Sequence, residues 1–323
     1  MKILLLGGNG FVGKNIISVF KNSNHRLYIF SKRDGYDLTD YTKAKELISK
    51  VSPDITINVA AKVGSLNYVT QQAAIIADEN MRMLLNLFKA LHEISPDSIL
   101  MNPIANCAYP GNLESYTEDR FWYGKVHESV IAYGNTRRMI EVLSDCYKMQ
   151  YNFKTINFLV PNMYGPFDST DPNKAHALNA LISKTVKAQK ERIKNIEVWG
   201  SGIAIREWLF AEDYARIILE TVSRIDDYGF SEPINIGQNF GLSVRELVDI
   251  IIRETNYPGE IIWNRNMPDG ALRKVMDDKR FRKVFPIFQF LDLRTGIKRT
   301  IDYYNSIYPY NIPDANQNHH TIQ

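Results

Sequence analysis

The stretch Met1-Lys2-Ile3-Leu4-Leu5-Leu6 runs straight into Gly7-Gly8-Asn9-Gly10-Phe11-Val12-Gly13, and a helical pattern follows from Lys14 to Lys21. Strand, glycine turn and helix in immediate succession are the setting in which a glycine motif carries information. Glycines at 7, 10 and 13 allow a tight turn and a close approach of backbone to a pyrophosphate. They also let the helix pack near the sheet. The helix start contributes unpaired N–H groups and the positive end of its dipole. Turns before helices often carry glycine for structural reasons alone. A second apolar strand at Arg26–Phe30 completes the unit here and favours a dinucleotide site.

Outward from that unit, strands and helices alternate. Tyr41–Lys50 reads as a helix with Ala44, Leu47 and Ile48 on one face, and Ile55–Ala60 as a strand. Asn80–Ile94 repeats apolar residues with a 3.6 period, followed by a strand at Ser98–Asn102, a helix at Tyr133–Met149 and a strand at Lys154–Val160. This order predicts an α/β fold, a doubly wound parallel sheet of the Rossmann type. After Val160 turn residues cluster and the loops lengthen. Helices are expected near Ala177–Gln189, Ala211–Arg224 and Val244–Thr255, with short strands at Ile196–Trp199 and Pro233–Ile236. The reading is a dinucleotide-binding domain over 1–165 and a smaller mixed α/β substrate lobe over 166–310. Segments such as 203–240 return to the first domain, and a flexible polar tail occupies 311–323.

Composition narrows the function. The chain has 323 residues, 45% of them hydrophobic and 23% charged, which is ordinary globular composition. A net charge of +3 is too small to point to nucleic acid as a partner. The two cysteines, Cys107 and Cys146, imply no disulfide framework. No apolar run approaches the roughly 18 residues of a membrane span, and the first residues already belong to a strand. A cytoplasmic location is the expectation.

The second strand ends in Phe30-Ser31-Lys32-Arg33. An acid at this place binds the ribose 2′-hydroxyl of NAD, and a basic residue accommodates the 2′-phosphate of NADP. Ser31, Lys32 and Arg33 favour NADP, while Asp34 and Asp37 keep NAD possible. Asp37 and Leu38 stand where the adenine would lie. Tyr133 and Arg137, four apart, share one helix face. A cation one turn from a phenol draws its pKa down toward the working pH, an arrangement suited to proton transfer. Taken alone, such a pair is more often ordinary surface chemistry.

The chain resembles the extended short-chain dehydrogenase/reductases, and within them the GDP-L-fucose synthases. The carrying segments are Gly7–Gly13, Ala60-Ala61-Lys62-Val63-Gly64, Asn80-Met81, Cys107-Ala108-Tyr109-Pro110 and Pro161-Asn162-Met163-Tyr164-Gly165-Pro166. Trp199-Gly200-Ser201-Gly202, Arg206-Glu207, and Pro268-Asp269-Gly270 with Arg273-Lys274 and Asp277 continue it over nearly the whole chain. The resemblance implies NADPH-dependent reduction at C4 of a nucleotide-linked, GDP-type 4-keto sugar. Tyr133 would give the proton and Arg137 would hold the nicotinamide ribose. Cys107 and His176 would epimerise the carbons beside the ketone. Cofactor contacts are implied for Gly7, Gly10, Phe11, Val12, Gly13, Ala60, Ala61, Val63 and Asn162, besides the residues of the second strand's end. Substrate contacts are implied for Asn162, His176, Lys184, Trp199, Arg206, Asp269 and Arg273. No metal is implied, and similar enzymes form homodimers through the helices that match Asn80–Ile94 and Tyr133–Met149.

Two departures stand out. The family has a serine four residues before the Tyr-Pro tyrosine, and here it is Ala105. Losing one donor to a developing oxyanion costs on the order of 10²–10³ in rate unless it is replaced. Asn106, Thr136 and the insert Trp122–Ser129 with its His127 are the candidates to replace it. The family's lysine is Arg137, which keeps the charge but is not an equivalent group. Retained-NAD epimerase or dehydratase chemistry, and a binding protein without catalysis, remain open beside the reductase.

Overall fold

The structure, a computed structural model, describes residues 1–171, 174–225, 232–267 and 269–310. The expected tail at 311–323 lies outside them. The first half of the chain forms β1 (Lys2–Leu6), α1 (Phe11–Phe20), β2 (Arg26–Phe30), α2 (Tyr41–Val51), β3 (Ile55–Asn58), α3 (Leu66–Gln71), α4 (Ala73–Ile94), β4 (Ile99–Ala105), α5 (Ile131–Tyr151) and β5 (Thr155–Val160). It continues through β6 (Asn162–Tyr164), α6 (Ala177–Lys190), β7 (Asn195–Trp199), β8 (Ile205–Arg206), β9 (Trp208–Phe210), α7 (Ala211–Ser223) and β10 (Ile234–Asn235). The last described elements are β11 (Leu242–Ser243), α8 (Val244–Thr255), β12 (Glu260–Asn264), β13 (Arg273–Lys274), α9 (Lys279–Val284) and α10 (Leu293–Ser306).

Six parallel strands make the central sheet in the order β10-β5-β4-β3-β1-β2. β1 is an interior strand, so both of its faces are covered and it reads as an unbroken apolar run. Its side chains alternate between two cores. Ile3 and Leu5 pack with Phe11 and Ile16 of α1 and Ile217 and Ile218 of α7. Leu4 and Leu6 pack with Leu47 of α2, Leu84 and Leu87 of α4, and Ile140 of α5. This is the doubly wound parallel sheet expected from the alternation. A separate core joins Ile182 and Val186 of α6 to Leu247 and Ile251 of α8 and Ile297 and Ile301 of α10. Small sheets flank it: β11-β8-β13, β12-β7 and β6-β9.

Three boundaries differ from expectation for identifiable reasons. α1 starts at Phe11 rather than Lys14, with Gly10 as its N-cap and Gly13 inside its first turn. α4 starts at Ala73 rather than Asn80. Asparagine is a common N-cap type, but Asn80 is fully buried in mid-helix, where its amide donates to the Ile76 carbonyl. β4 runs on through Pro103 to Ala105. A proline removes one ladder N–H, yet the register continues with Ile104 opposite Leu159 and Ala105 opposite Val160.

The glycine turn is tight. Gly7 has φ +83°, and its N–H donates to the Phe30 carbonyl while its carbonyl accepts from Gly10. A Cβ on Gly13 would meet the Gly7 carbonyl oxygen at 2.4 Å and the Gly8 Cα at 2.6 Å. Both neighbours are backbone, so no rotamer change relieves the clash. Gly13→Ala is therefore expected to destabilise the protein by about 1–3 kcal/mol, measured as a lowered urea midpoint with an unchanged slope.

Candidate active site

A buried carboxamide ties the glycine turn to the helix carrying Tyr133. β3 lies beside β1, so the segment after β3 flanks the glycines, and a Cβ on Gly7 would meet the Ala60 nitrogen at 2.8 Å. Two residues on, Lys62 donates its backbone N–H to Asn80 Oδ1 at 3.0 Å and accepts from Asn80 Nδ2 at 2.9 Å. The same Oδ1 accepts from Arg137 Nη2 at 3.2 Å. The Arg137 guanidinium lies over the Tyr133 ring, 5.1 Å from its centroid. The start of α5 is seated on the cysteine turn, because a Cβ on Gly134 would meet the Cys107 carbonyl oxygen at 2.8 Å. Tyr133, Arg137 and Cys107 are thereby brought together.

Charge in this cluster is set mainly by burial. Burial pushes the Tyr133 phenol up, against a downward pull from Arg137 and a further upward push from Cys107. The net direction is up, which corrects the expectation that the neighbouring cation would bring the phenol down. Desolvation of the phenolate outweighs the guanidinium. The Cys107 thiol is also raised by burial, with Lys274 and then Arg137 drawing it back. Both cysteines are free thiols, and Cys146 is exposed.

His176 lies beside the start of α1. Its ring packs on Phe11 with centroids 5.1 Å apart. Asp168, 6% exposed, holds it doubly: the carboxylate accepts the His176 backbone N–H at 2.8 Å and faces Nδ1 at 3.2 and 3.3 Å. Asn179 Nδ2 donates to the same carboxylate at 2.7 Å. With Nδ1 committed to Asp168, Nε2 is the nitrogen left for a ligand. Asp168 was not among the residues singled out from sequence. Its signal was an acid eight positions before a histidine across a turn, which no helical or strand period marks.

The expected cofactor residues at the end of β2 form their own small structure. Asn9 Nδ2 donates to Ser31 Oγ at 2.7 Å, Ser31 caps the turn with Asp34, and Lys32 pairs with Asp37 at 2.7 Å. Arg33 is exposed. The Leu38 side chain belongs to the core, so only its backbone faces outward for a ligand. Ala60, Ala61, Val63 and Val12 are half-buried around the turn.

Of the expected substrate residues, Arg206, Asp269 and Arg273 meet at β8. Arg206 is clamped by carbonyls: Nη1 donates to Ile205 at 2.9 Å and Ala271 at 2.5 Å, and Nη2 to Asp269 at 2.9 Å. A guanidinium has five N–H donors, so two remain for a phosphate. Asp269 braces the glycine turn after Trp199, accepting from Ser201 N at 2.8 Å and Ser201 Oγ at 2.7 Å. Lys184 Nζ and Trp199 Nε1 both engage Glu197, at 2.7 and 3.0 Å, and both residues are exposed. Arg273 is exposed, and Asn162 Nδ2 reaches the Glu207 carbonyl at 3.4 Å. Glu207 is fully buried, and burial lifts its carboxyl to about 7. It accepts the backbone amides of Gln238 and Met276 and so pins β13 against β8. Among the described residues no His, Cys, Asp and Glu group is placed to hold a metal, and no helix is long and apolar enough to cross a membrane.

Removing the Asp168 carboxylate would leave the His176 backbone and ring nitrogens and the buried Asn179 amide without their acceptor. Asp168→Ala is expected to cost about 2–4 kcal/mol of stability at neutral pH. Burial alone would raise this carboxyl, but its hydrogen bonds with His176 and Asn179 hold it below its ordinary 3.8. Its contribution is therefore present in full above that value and is lost as the pH falls through the lower folded value. Urea midpoints of both proteins at neutral and acid pH should differ in the first case and converge in the second.

Comparison with known proteins places the chain in a family. A family model for the NAD dependent epimerase/dehydratase family matches residues 3–237. The GDP-L-colitose synthase of Yersinia pseudotuberculosis is 28% identical over 309 residues, covering 94% of this chain and 98% of that protein. A GDP-L-fucose synthetase of Naegleria fowleri, solved with NADP bound, superposes with a TM-score of 0.80 at 24% identity, over 95% of this chain and 93% of that one. A GDP-6-OMe-4-keto-L-xylo-heptose reductase of C. jejuni superposes with a TM-score of 0.85 at 20% identity, over 94% and 97%. The chain belongs to the NAD dependent epimerase/dehydratase family.

Proposed function

We propose that this member of the epimerase/dehydratase family is an NADPH-dependent reductase of a nucleotide-linked, GDP-type 4-keto-6-deoxy hexose or heptose. One observation carries the reading. An unbroken run of contacts leads from the glycine turn through Ala60, Lys62, Asn80 and Arg137 to the half-buried Tyr133 phenol, whose pKa is raised. A raised phenol keeps its proton at neutral pH, and that is the state a proton donor needs. The opposite task, oxidation of an intact sugar, would need the phenolate. The names of the colitose synthase and the heptose reductase, and the NADP in the fucose synthetase, support the same direction.

The residues present fit the cofactor. The glycine cradle leaves no room for side chains where a pyrophosphate would approach backbone. Arg137 Nε is buried without a partner among the described residues, so the guanidinium has a donor to spare beside the ribose. Gly7, Gly10 and Gly13, with Ser31, Lys32 and Arg33, would hold NADPH, which supplies the hydride. Tyr133 then protonates the C4 oxygen, and Arg137 keeps the phenol in place by stacking on its ring. Cys107 and His176 extend the activity to epimerisation beside the ketone. Arg206 offers its two remaining N–H groups to the diphosphate, and Trp199 an exposed ring to the base.

Purified protein should oxidise NADPH when given GDP-4-keto-6-deoxymannose, and Tyr133→Phe should lower turnover by about 10²-fold or more with little change in NADPH affinity. A Phe variant with unchanged turnover would sink the reading.

We also propose a homodimer through α4 and α5. A shallow apolar hollow of about 550 Å³ lies between Ala73, Ala77 and Met81 of α4 and Ile131, Ala132 and Met139 of α5. Met81→Asp should turn a dimer into a monomer in analytical ultracentrifugation, because a buried unpaired carboxylate opposes association.

A further inference from the structure

Ala105 leaves the cysteine turn without the family's hydroxyl, and the three polar groups considered for its place are engaged or shut away. Thr136 Oγ1 donates to the Tyr133 carbonyl at 2.8 Å. Asn106 Nδ2 is buried and has no partner among the described residues. His127 Nδ1 is held by Ser129 at 2.8 and 3.3 Å.

Lys274 is differently placed. Its strand, β13, is fixed on three sides. Lys274 lies opposite Arg206 in the β8 register, its carbonyl accepts from Glu207 N at 3.2 Å, and Met276 bridges to Tyr116 while donating to the Glu207 carboxylate at 2.7 Å. The ammonium group lies over the Tyr116 ring, 5.5 Å from its centroid. Tyr116 packs edge-on against Tyr109, also at 5.5 Å, and Tyr109 closes the turn that carries Cys107. Among the described residues no carboxylate pairs with Lys274. The charged groups acting on it are the Cys107 thiol and the Arg206 guanidinium, and burial brings it down to about 8. The tyrosine pair thus sets Lys274 beside the cysteine turn, and of the two cations acting on the Cys107 thiol, Lys274 from β13 and Arg137 from α5, Lys274 pulls it down the more strongly.

We propose that Lys274 is the counter-ion of Cys107, a positioning residue whose ammonium group stabilises the thiolate while that thiolate exchanges the proton on the carbon beside the substrate ketone. The inference rests on the epimerase part of the proposed function and deepens it. In the step, Cys107 Sγ takes the proton and an S–H bond forms. The C–H electron pair becomes the enolate double bond, and the carbonyl π pair moves onto oxygen. Reprotonation of the carbon from the His176 side restores the ketone, so nothing is oxidised or reduced. The cysteine proton returns to water. Lys274 keeps its protons throughout and only balances the charge on sulfur.

The test needs no sugar. In a Cys146→Ser background, the rate of Cys107 alkylation by iodoacetamide is followed against pH. Lys274→Met should move the midpoint up by about one unit or more, and slow alkylation near neutral pH about tenfold. Lys274→Arg should stay close to the parent. Lys274→Gln serves as the neutral variant if the methionine protein does not fold. A midpoint unmoved in the neutral variant overturns the proposal. With GDP-4-keto-6-deoxymannose in D₂O, deuterium uptake beside the ketone should also drop about tenfold or more in the neutral variant. Absence of uptake in the parent removes the epimerase reading, and the alkylation profile still decides Lys274.

Discussion

The site depends on the carboxamide of Asn80. It is fully buried, and both ends of it are saturated. Oδ1 accepts from Lys62 N and Arg137 Nη2, and Nδ2 donates to the carbonyls of Lys62 and Ile76. An amide has two acceptor lone pairs and two donors, so no capacity is left over. Three separate pieces are joined in this way: the loop after β3, the middle of α4 and the first turn of α5. A side chain able only to donate or only to accept would leave a buried backbone group of Lys62 unpaired, at about 1–3 kcal/mol. It would also free the arginine. The precision of the pocket is thus set by a residue that touches neither of the expected ligands.

Around that anchor the electrostatics are one-sided. Lys274 and Arg137 both act on Cys107, and Arg206 acts on Lys274. The nearest carboxylates there are committed to structure: Glu207 to backbone amides, and Asp269 to Ser201. A buried cation without a counter-charge is costly, and the depressed Lys274 is the visible trace of that cost. The cost is offset when an anion enters. A diphosphate at Arg206 and a negative sulfur or oxygen near Cys107 would each supply one. Clefts lined with one sign of charge also concentrate ligands of the other sign.

The architecture was legible because its signals are local. β1 shows a buried strand by being apolar at every position after Lys2, and the glycines show the turn by steric necessity at Gly7 and Gly13. What was not legible depends on partners distant in sequence. The helix was read from Asn80, whereas it begins at Ala73 and the Asn80 carboxamide bonds residues 18 and 57 positions away. Pro103 looked like the end of a strand, but the register with β5 carries the ladder past it. Asp168 was not singled out, and Lys274 entered only as part of the Arg273-Lys274 motif. Their importance arises only when the loop before α6 folds onto Phe11 and β13 settles beside β8. The phenol was the clearest misjudgement. Spacing puts a cation next to Tyr133, but burial, which spacing does not report, decides the net direction.

The lysine-to-arginine change makes sense in the same terms. An ammonium is a point charge that can either approach a ring or hydrogen-bond a carboxamide from one position. A guanidinium is planar, so its face and its edge work at once. Arg137 uses its face on Tyr133, at 5.1 Å, and its edge on Asn80, at 3.2 Å. Phenol, cation and carboxamide are therefore locked in one rigid stack, and Nε remains for a further acceptor. Such a stack holds the phenol by contact rather than by lowering its pKa. That agrees with a tyrosine raised by burial and kept as an acid.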